Sequence, residues 1–200
     1  GNFNGAIQNY YAYPIIENGI QDSSYTYATT KTINDAVNWL DTCNTSKPFF
    51  LWVAFNAPHS PFHLPPASLC DTAGLTGTTI HINNNPTLYF KAAIQAMDTE
   101  FGRLLSYLQT NNLLDSTNII FIGDNGNENE VAQIVNPTKA KATLYNYGIH
   151  IPMIAAGPAV MNTPRVSDAL LNTPDLFATI AELAGFTNWK TSIPVSTFID

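Results

Sequence analysis

Charge is scarce in this chain. Only 12% of its 200 residues are Asp, Glu, Lys or Arg, and fifteen acids outnumber eight bases. A formal net charge of −7 with scattered Lys and Arg excludes the basic stripe that a nucleic-acid partner needs. No apolar run approaches the roughly 18–20 residues of a spanning helix, so no membrane span is expected. No basic stretch followed by an apolar stretch opens the sequence, so no signal peptide is visible. Cysteine is nearly absent. Cys43 and Cys70 lie 27 residues apart without a CxxC or metal-type spacing, which leaves a disulfide or two separate thiols open. Methionine is confined to Met97, Met153 and Met161 while the chain opens on Gly1, which reads as a piece of a longer protein.

What is present is apolar. The 45% hydrophobic content excludes a disordered tail, and 200 residues are enough for one domain with a real core. The 22 asparagines, frequent threonine and few lysines lean toward an exported, periplasmic or extracellular protein.

No repeat or low-complexity tract divides the chain. It reads as a single partial domain over 1–200, with an irregular segment at 1–30 that is rich in Asn, Tyr and Gly. Ile33, Ala36, Val37 and Leu40 predict a helix over 32–41, capped by Thr32 with Asp35 near its positive end. Phe49 to Phe55 (FFLWVAF) is short and continuously apolar, as a strand covered on both faces would be. A proline-rich connection, 56–85, follows. Phe90, Ile94, Met97, Phe101, Leu104 and Leu108 predict a long helix over 88–109. NIIFIG (118–123) and PMIAA (152–156) read as two further strands. Thr173-Pro174-Asp175 opens a helix that Gly185 stops. Short apolar strands alternating with helices predict an α/β fold with a mostly parallel sheet.

Chemistry is expected where strands run into loops, since open α/β sheets bind ligands at the carboxyl ends of their strands. Asp124 and Asn125 are adjacent hard oxygen donors suited to Ca²⁺ or Mg²⁺, although Asn-Gly is equally a turn signal. Two donors cannot hold a divalent ion alone. His59 stands between Pro58 and Pro61 in a stiffened loop, where an imidazole serves as general acid, metal ligand or structural hydrogen-bonding group. Lys141 offers a compact charge for an oxyanion, or simply a solvated surface lysine, and Lys139 competes for that role. His63, His81 and His150 have no comparable setting and read as structural.

Taken together, five segments resemble the sulfatase family of the alkaline phosphatase superfamily. PFFLWVAFNAPHSPFHLPP (48–66) is similar to its strand and histidine loop, and YFKAAIQAMDTEFGRLLSYL (89–108) to its long helix. NIIFIGDNG (118–126) is similar to its metal strand. KATLYNYGIHIPMIAAGP (141–158) is similar to its anion-binding lysine and the strand after it, and TPDLFATIAELAG (173–185) to the helix that follows. The resemblance covers roughly 25–187, with its core at 31–187. It implies a three-layer sandwich around a mostly parallel central sheet, incomplete because the amino-terminal half is missing.

The same resemblance implies roles. Asp124 and Asn125 would be ligands of a divalent cation, usually Ca²⁺. His59 would contact the sulfate ester and help protonate the leaving oxygen, and Lys141 would bind a sulfate oxygen. The substrate would be a sulfate ester, and sulfated carbohydrates suit an exported protein. Asn146-Tyr147 replaces the family's Glu-Gly, His150 departs from its basic or aromatic residue, and the stretch after Gly126 is more acidic than usual. The family's C/S-x-P-x-R nucleophile, a formylglycine when it is Cys, is absent from these 200 residues, as is any Asp-Asp pair. The nucleophile is therefore expected upstream, and the isolated chain is expected to be inactive and to self-associate through exposed sheet. Two readings compete: a phosphodiesterase or phosphonate monoester hydrolase of the same superfamily, and a non-catalytic sulfatase-like binding module.

Overall fold

The computed structural model describes residues 7–44, 46–161 and 164–194. The first element is a hairpin, with β1 (Tyr13–Glu17) antiparallel to β2 (Ile20–Ser24). Its turn residues, Asn18 and Gly19, both have positive φ, 51° and 81°, the turn conformation whose twist suits adjoining strands. This corrects the irregular reading of 1–30. In these strands only Tyr13 and Ser24 are buried, so apolar alternation carried no signal. Residues 1–6 of that segment lie outside the described residues.

Helix α1 (Ala28–Thr42) starts four residues before its expected first turn. The Thr32 hydroxyl bonds back to the Ala28 carbonyl instead of capping, and Asp35 pairs with Lys31 on the exposed side. Helix α2 (Thr79–Asn84), capped by the Thr78 side chain, interrupts the long connection. Helix α3 (Pro86–Thr110) runs on directly from it. On α3, Ala92, Ala93 and Ala96 are fully buried, and Ala96 meets the hairpin side of the core through Tyr10, Tyr13 and Tyr27. Farther along, Leu104 and Leu108 pack with Ile33, Ala36 and Leu40 of α1. Each such buried leucine stabilises the fold by roughly 1.5–3 kcal/mol. The predicted stripe through Phe90, Ile94 and Phe101 is a second, half-covered face. Phe90 meets Phe62 there, and Phe101 meets Phe121.

The 49–55 segment has no regular secondary structure and forms no ladder with any described strand. Leu51, Val53 and Phe55 pack on the α1–α3 core, whereas Phe50 is 61% and Trp52 79% exposed. The expectation of cover on both faces is thus corrected: no described element lies over the second face.

The remaining pair is β3 (Ile119–Ile122) with β4 (Met153–Ala156). It is antiparallel, with Ile122 opposite Met153, and the Gly123 amide extends the ladder to the Pro152 carbonyl at 3.0 Å. The mostly parallel sheet is therefore not formed among the described residues. The chain leaves β3 and returns beside the same end, a reversal that permits only antiparallel pairing. Helix α4 (Asn146–Ile149) lies within that excursion. Helix α5 (Asp175–Leu183) starts one residue later than a Thr173 cap implies: Pro174 holds the cap position with no side-chain cap hydrogen bond, and the Asp175 carboxylate accepts the Asn172 amide. Gly185 ends it at φ 78°, with Gly185 and Phe186 amides returning to Glu182 and Ala181. Helix α6 (Trp189–Ser192) follows. No described helix is long and apolar enough to cross a membrane.

Candidate functional site

The loop after 49–55 is fixed before its side chains are considered. The His59 amide donates to the Asn56 carbonyl at 3.0 Å, and the buried Tyr10 hydroxyl donates to the His59 carbonyl at 2.8 Å. The Ala57-Pro58 and Ser60-Pro61 bonds are cis. The half-buried His59 ring has three contacts, one of them between Nδ1 and Ser60 Oγ at 3.4 Å. Nδ1 lies 2.8 Å from the Ser60 carbonyl oxygen, and Nε2 lies 3.1 Å from Glu128 Oε1. The same carboxylate oxygen accepts from Ser60 Oγ at 3.0 Å and from the Ser60 amide at 3.3 Å.

Glu128 belongs to the loop that leaves β3, so it joins the histidine loop to the loop carrying Asp124 and Asn125. Those two residues follow Gly123 and are exposed. Neither side chain makes a hydrogen bond or ion pair with another described residue. They are hard oxygen donors held at a strand end, which suits a divalent cation. Two donors remain short of the six to eight that Ca²⁺ takes. No group of three or more His, Cys, Asp and Glu among the described residues could hold a metal.

The segment returning toward β4 closes over this loop. The Gly126 amide donates to the Gly148 carbonyl at 3.1 Å, and the Lys141 amide donates to the Asn127 carbonyl at 3.0 Å. The fit is tight. A Cβ on Gly126 would lie 2.0 Å from the Tyr147 carbonyl oxygen, and one on Gly148 2.3 Å from the Thr143 carbonyl oxygen. Ala142, next to Lys141, takes φ 63°, a left-handed conformation that a side chain adopts at a cost. Lys139 lies 4.5 Å over the Tyr145 ring, an engagement that Lys141 does not share. Lys141 makes no ion pair among the described residues.

The structure thus ties the loops bearing His59, Asp124, Asn125 and Lys141 into one hydrogen-bonded unit. Sequence reasoning missed Glu128. Its signal was the acidic run NENE after Gly126, which shows as a departure from the resemblance and names no partner.

Two of the other histidines, His81 and His63, have structural settings, and His150 is exposed. His81 Nδ1 lies 2.7 Å from the Tyr89 hydroxyl, which itself accepts the Gly77 amide at 3.0 Å. His63 stacks on Tyr10 with ring centroids 3.9 Å apart, and its Nε2 lies 2.9 Å from the Tyr27 hydroxyl. Its Nδ1 is 3.0 Å from the Pro61 carbonyl oxygen. The neutral ring satisfies both contacts, with Nδ1–H donating and Nε2 accepting. Burial lowers the pKa of His63 below the ordinary histidine value, and the Pro61 contact opposes this only in part. A histidine whose folded value is depressed takes up its proton more readily in the unfolded chain. Stability is therefore lost as pH falls through the ordinary value of about 6.5. Thermal unfolding at about pH 7.5 and 5.5 is expected to show a fall in Tm toward acid that His63→Gln reduces. An equal fall in both proteins would remove His63 from the acid sensitivity.

Cys43 and Cys70 are free thiols, packed at different core clusters. Burial, then the nearby Asp71, raises the Cys70 pKa.

The sulfatase family profile matches residues 2–186. The chain belongs to the sulfatase family. It is 27% identical to N-acetylglucosamine-6-sulfatase of Bos taurus over 221 aligned residues, covering 95% of this chain and 39% of that protein. It is 30% identical to Endo-4-O-sulfatase of Bacteroides thetaiotaomicron, over 71% of this chain and 30% of that one. Among solved structures, Ps i-CgsB in complex with k-i-k-neocarrahexaose superimposes with a TM-score of 0.72 at 27% identity. That alignment covers 87% of this chain and 38% of that protein. The chain therefore spans about two-fifths of the length of the relatives it matches over most of its own.

Proposed function

We propose that this chain is part of a sulfatase that hydrolyses sulfate esters of carbohydrates with a divalent cation. The observation that carries the reading is the junction of three loops, which brings an imidazole, a carboxylate–amide pair and an ammonium-bearing segment together on a sulfatase-family chain. The names of the relatives, N-acetylglucosamine-6-sulfatase and Endo-4-O-sulfatase, support a carbohydrate sulfate as the substrate class.

In this reading Asp124 and Asn125 contribute two ligands of the cation, Ca²⁺ or Mg²⁺. When bound, the cation polarises the sulfate oxygens. Lys141 takes one sulfate oxygen as a point charge. His59 gives a ring hydrogen to the ester oxygen as the S–O bond breaks and its electron pair stays on that oxygen. The nucleophile and the remaining cation ligands come from sequence outside these 200 residues.

The test has two arms. The 200-residue chain with Ca²⁺ and an aryl sulfate is expected to turn over no faster than buffer, because no group is present to attack sulfur. A longer product of the same gene, carrying the nucleophile, is expected to hydrolyse the ester. Lys141→Ala should lower its kcat/KM by about 10²–10³. Turnover by the short chain, preference for a phosphodiester, or an unaffected Lys141→Ala variant would each overturn the reading.

A further inference from the structure

The His59 ring faces the Ser60 carbonyl and Glu128 most closely, with the Ser60 hydroxyl a longer 3.4 Å from Nδ1. The Ser60 carbonyl can only accept. Glu128 Oε1 already accepts from the Ser60 hydroxyl and amide, as a carboxylate does. A charged imidazolium satisfies both contacts. A neutral ring has one hydrogen and must choose between them. The choice decides which nitrogen of the neutral ring carries the hydrogen and which is left bare.

We propose that Glu128 is the positioning residue of His59, keeping the neutral ring's hydrogen on Nε2 and so fixing the ring's tautomer and orientation. A carboxylate competes for that hydrogen better than a neutral carbonyl, because hydrogen bonds to charged groups are roughly twice as strong. The hydrogen bond made at one ring nitrogen sets the state of the other. Two donors from Ser60 hold Oε1 at 3.0 and 3.3 Å, so the carboxylate is itself fixed. Tyr10 holds the other side of the arrangement, donating to the His59 carbonyl. Burial, then Tyr27 and then the Glu128 charge, push the Tyr10 pKa above the usual tyrosine range, so Tyr10 remains a donor. Glu128 thus meets the ring and Tyr10 the main chain of His59.

This inference rests on the sulfatase reading for its purpose, since a tautomer matters only if His59 moves a proton. Its test does not need activity. The chain is labelled with ¹⁵N-histidine and examined by long-range ¹H–¹⁵N correlation at about pH 8, where an ordinary histidine is neutral. His59→Gln identifies the signals. In the wild type, Nε2 is expected to carry the hydrogen and Nδ1 to be bare. In Glu128→Ala the ratio of the two forms should move toward Nδ1–H by about tenfold or more, as loss of a charged hydrogen bond implies. Glu128→Asp, which keeps the charge, should restore part of the difference.

A wild-type ring with its hydrogen on Nδ1 overturns the proposal without any variant, so a misfolded Glu128→Ala cannot shelter it. A Glu128→Ala ring that still holds Nε2–H also overturns it. Failure of the sulfatase reading appears separately: the spectra behave as expected, but the longer gene product hydrolyses no sulfate ester. Hydrolysis with an unchanged ring spectrum removes Glu128 alone.

Discussion

Gly126→Ala is expected to cost about 3 kcal/mol of stability and to dismantle the loop junction. The added methyl would lie 2.0 Å from the Tyr147 carbonyl oxygen and 2.8 Å from the Gly148 Cα, both backbone atoms. No rotamer relieves such a contact. The segment carrying Tyr147 must withdraw, and the Gly126–Gly148 hydrogen bond goes with it. The Lys141–Asn127 bond, on the same pair of segments, is expected to loosen in turn. Gly102→Ala supplies the contrast. A Cβ there meets nothing within 4 Å in the middle of α3, so the change should stabilise by about 0.5–1 kcal/mol through backbone entropy. Urea unfolding of the two variants checks both signs. A neutral Gly126→Ala would mean that the two loops do not close as described.

Arg103→Ala is expected to destabilise by about 2–3 kcal/mol. Its guanidinium donates through Nε to Glu100 Oε2 at 2.7 Å, and through Nη2 to Asn34 Oδ1 of α1 at 2.9 Å. Glu100 is only 3% exposed, and its other oxygen accepts the Thr30 hydroxyl at 2.6 Å. Removing Arg103 leaves a buried carboxylate with one neutral donor. The half-exposed guanidinium limits the loss, because water already screens part of the pair. Glu100→Gln should cost less, about 1 kcal/mol, since the amide oxygen still accepts from Thr30 and Arg103 returns to solvent. Equal losses in the two variants would contradict this account.

The sequence was most readable where one principle acted alone. Helix α3 follows from its periodicity, and the helix stop at Gly185 from its freedom at positive φ. His59, Asp124 and Asn125 stood out by type and by position after apolar segments and Lys141 as one of few lysines, and the folded chain joins their loops. The rest depended on partners that no local pattern encodes. FFLWVAF carries the composition of a strand covered on both faces, yet only alternate residues, Phe49, Leu51, Val53 and Phe55, find the core. The antiparallel pairing of β3 with β4 is set by where a 30-residue excursion returns, and apolar runs are silent about direction. The Asn18-Gly19 turn was present in the letters, but its strands bury too little to alternate. Glu128 needed the fold outright, because an acid among acids gains a role only when His59 and Ser60 arrive beside it.

The exposed edge at 49–55 has an optical consequence. The chain has three tryptophans: Trp189 is 5% exposed, Trp39 42% and Trp52 79%. Emission from Trp52 therefore comes from a nearly aqueous indole within eight residues of His59. Any surface that settles on that edge withdraws this one indole from water, shifting its emission to the blue and shielding it from a dissolved quencher. Trp189, already enclosed, stays constant and serves as the internal reference.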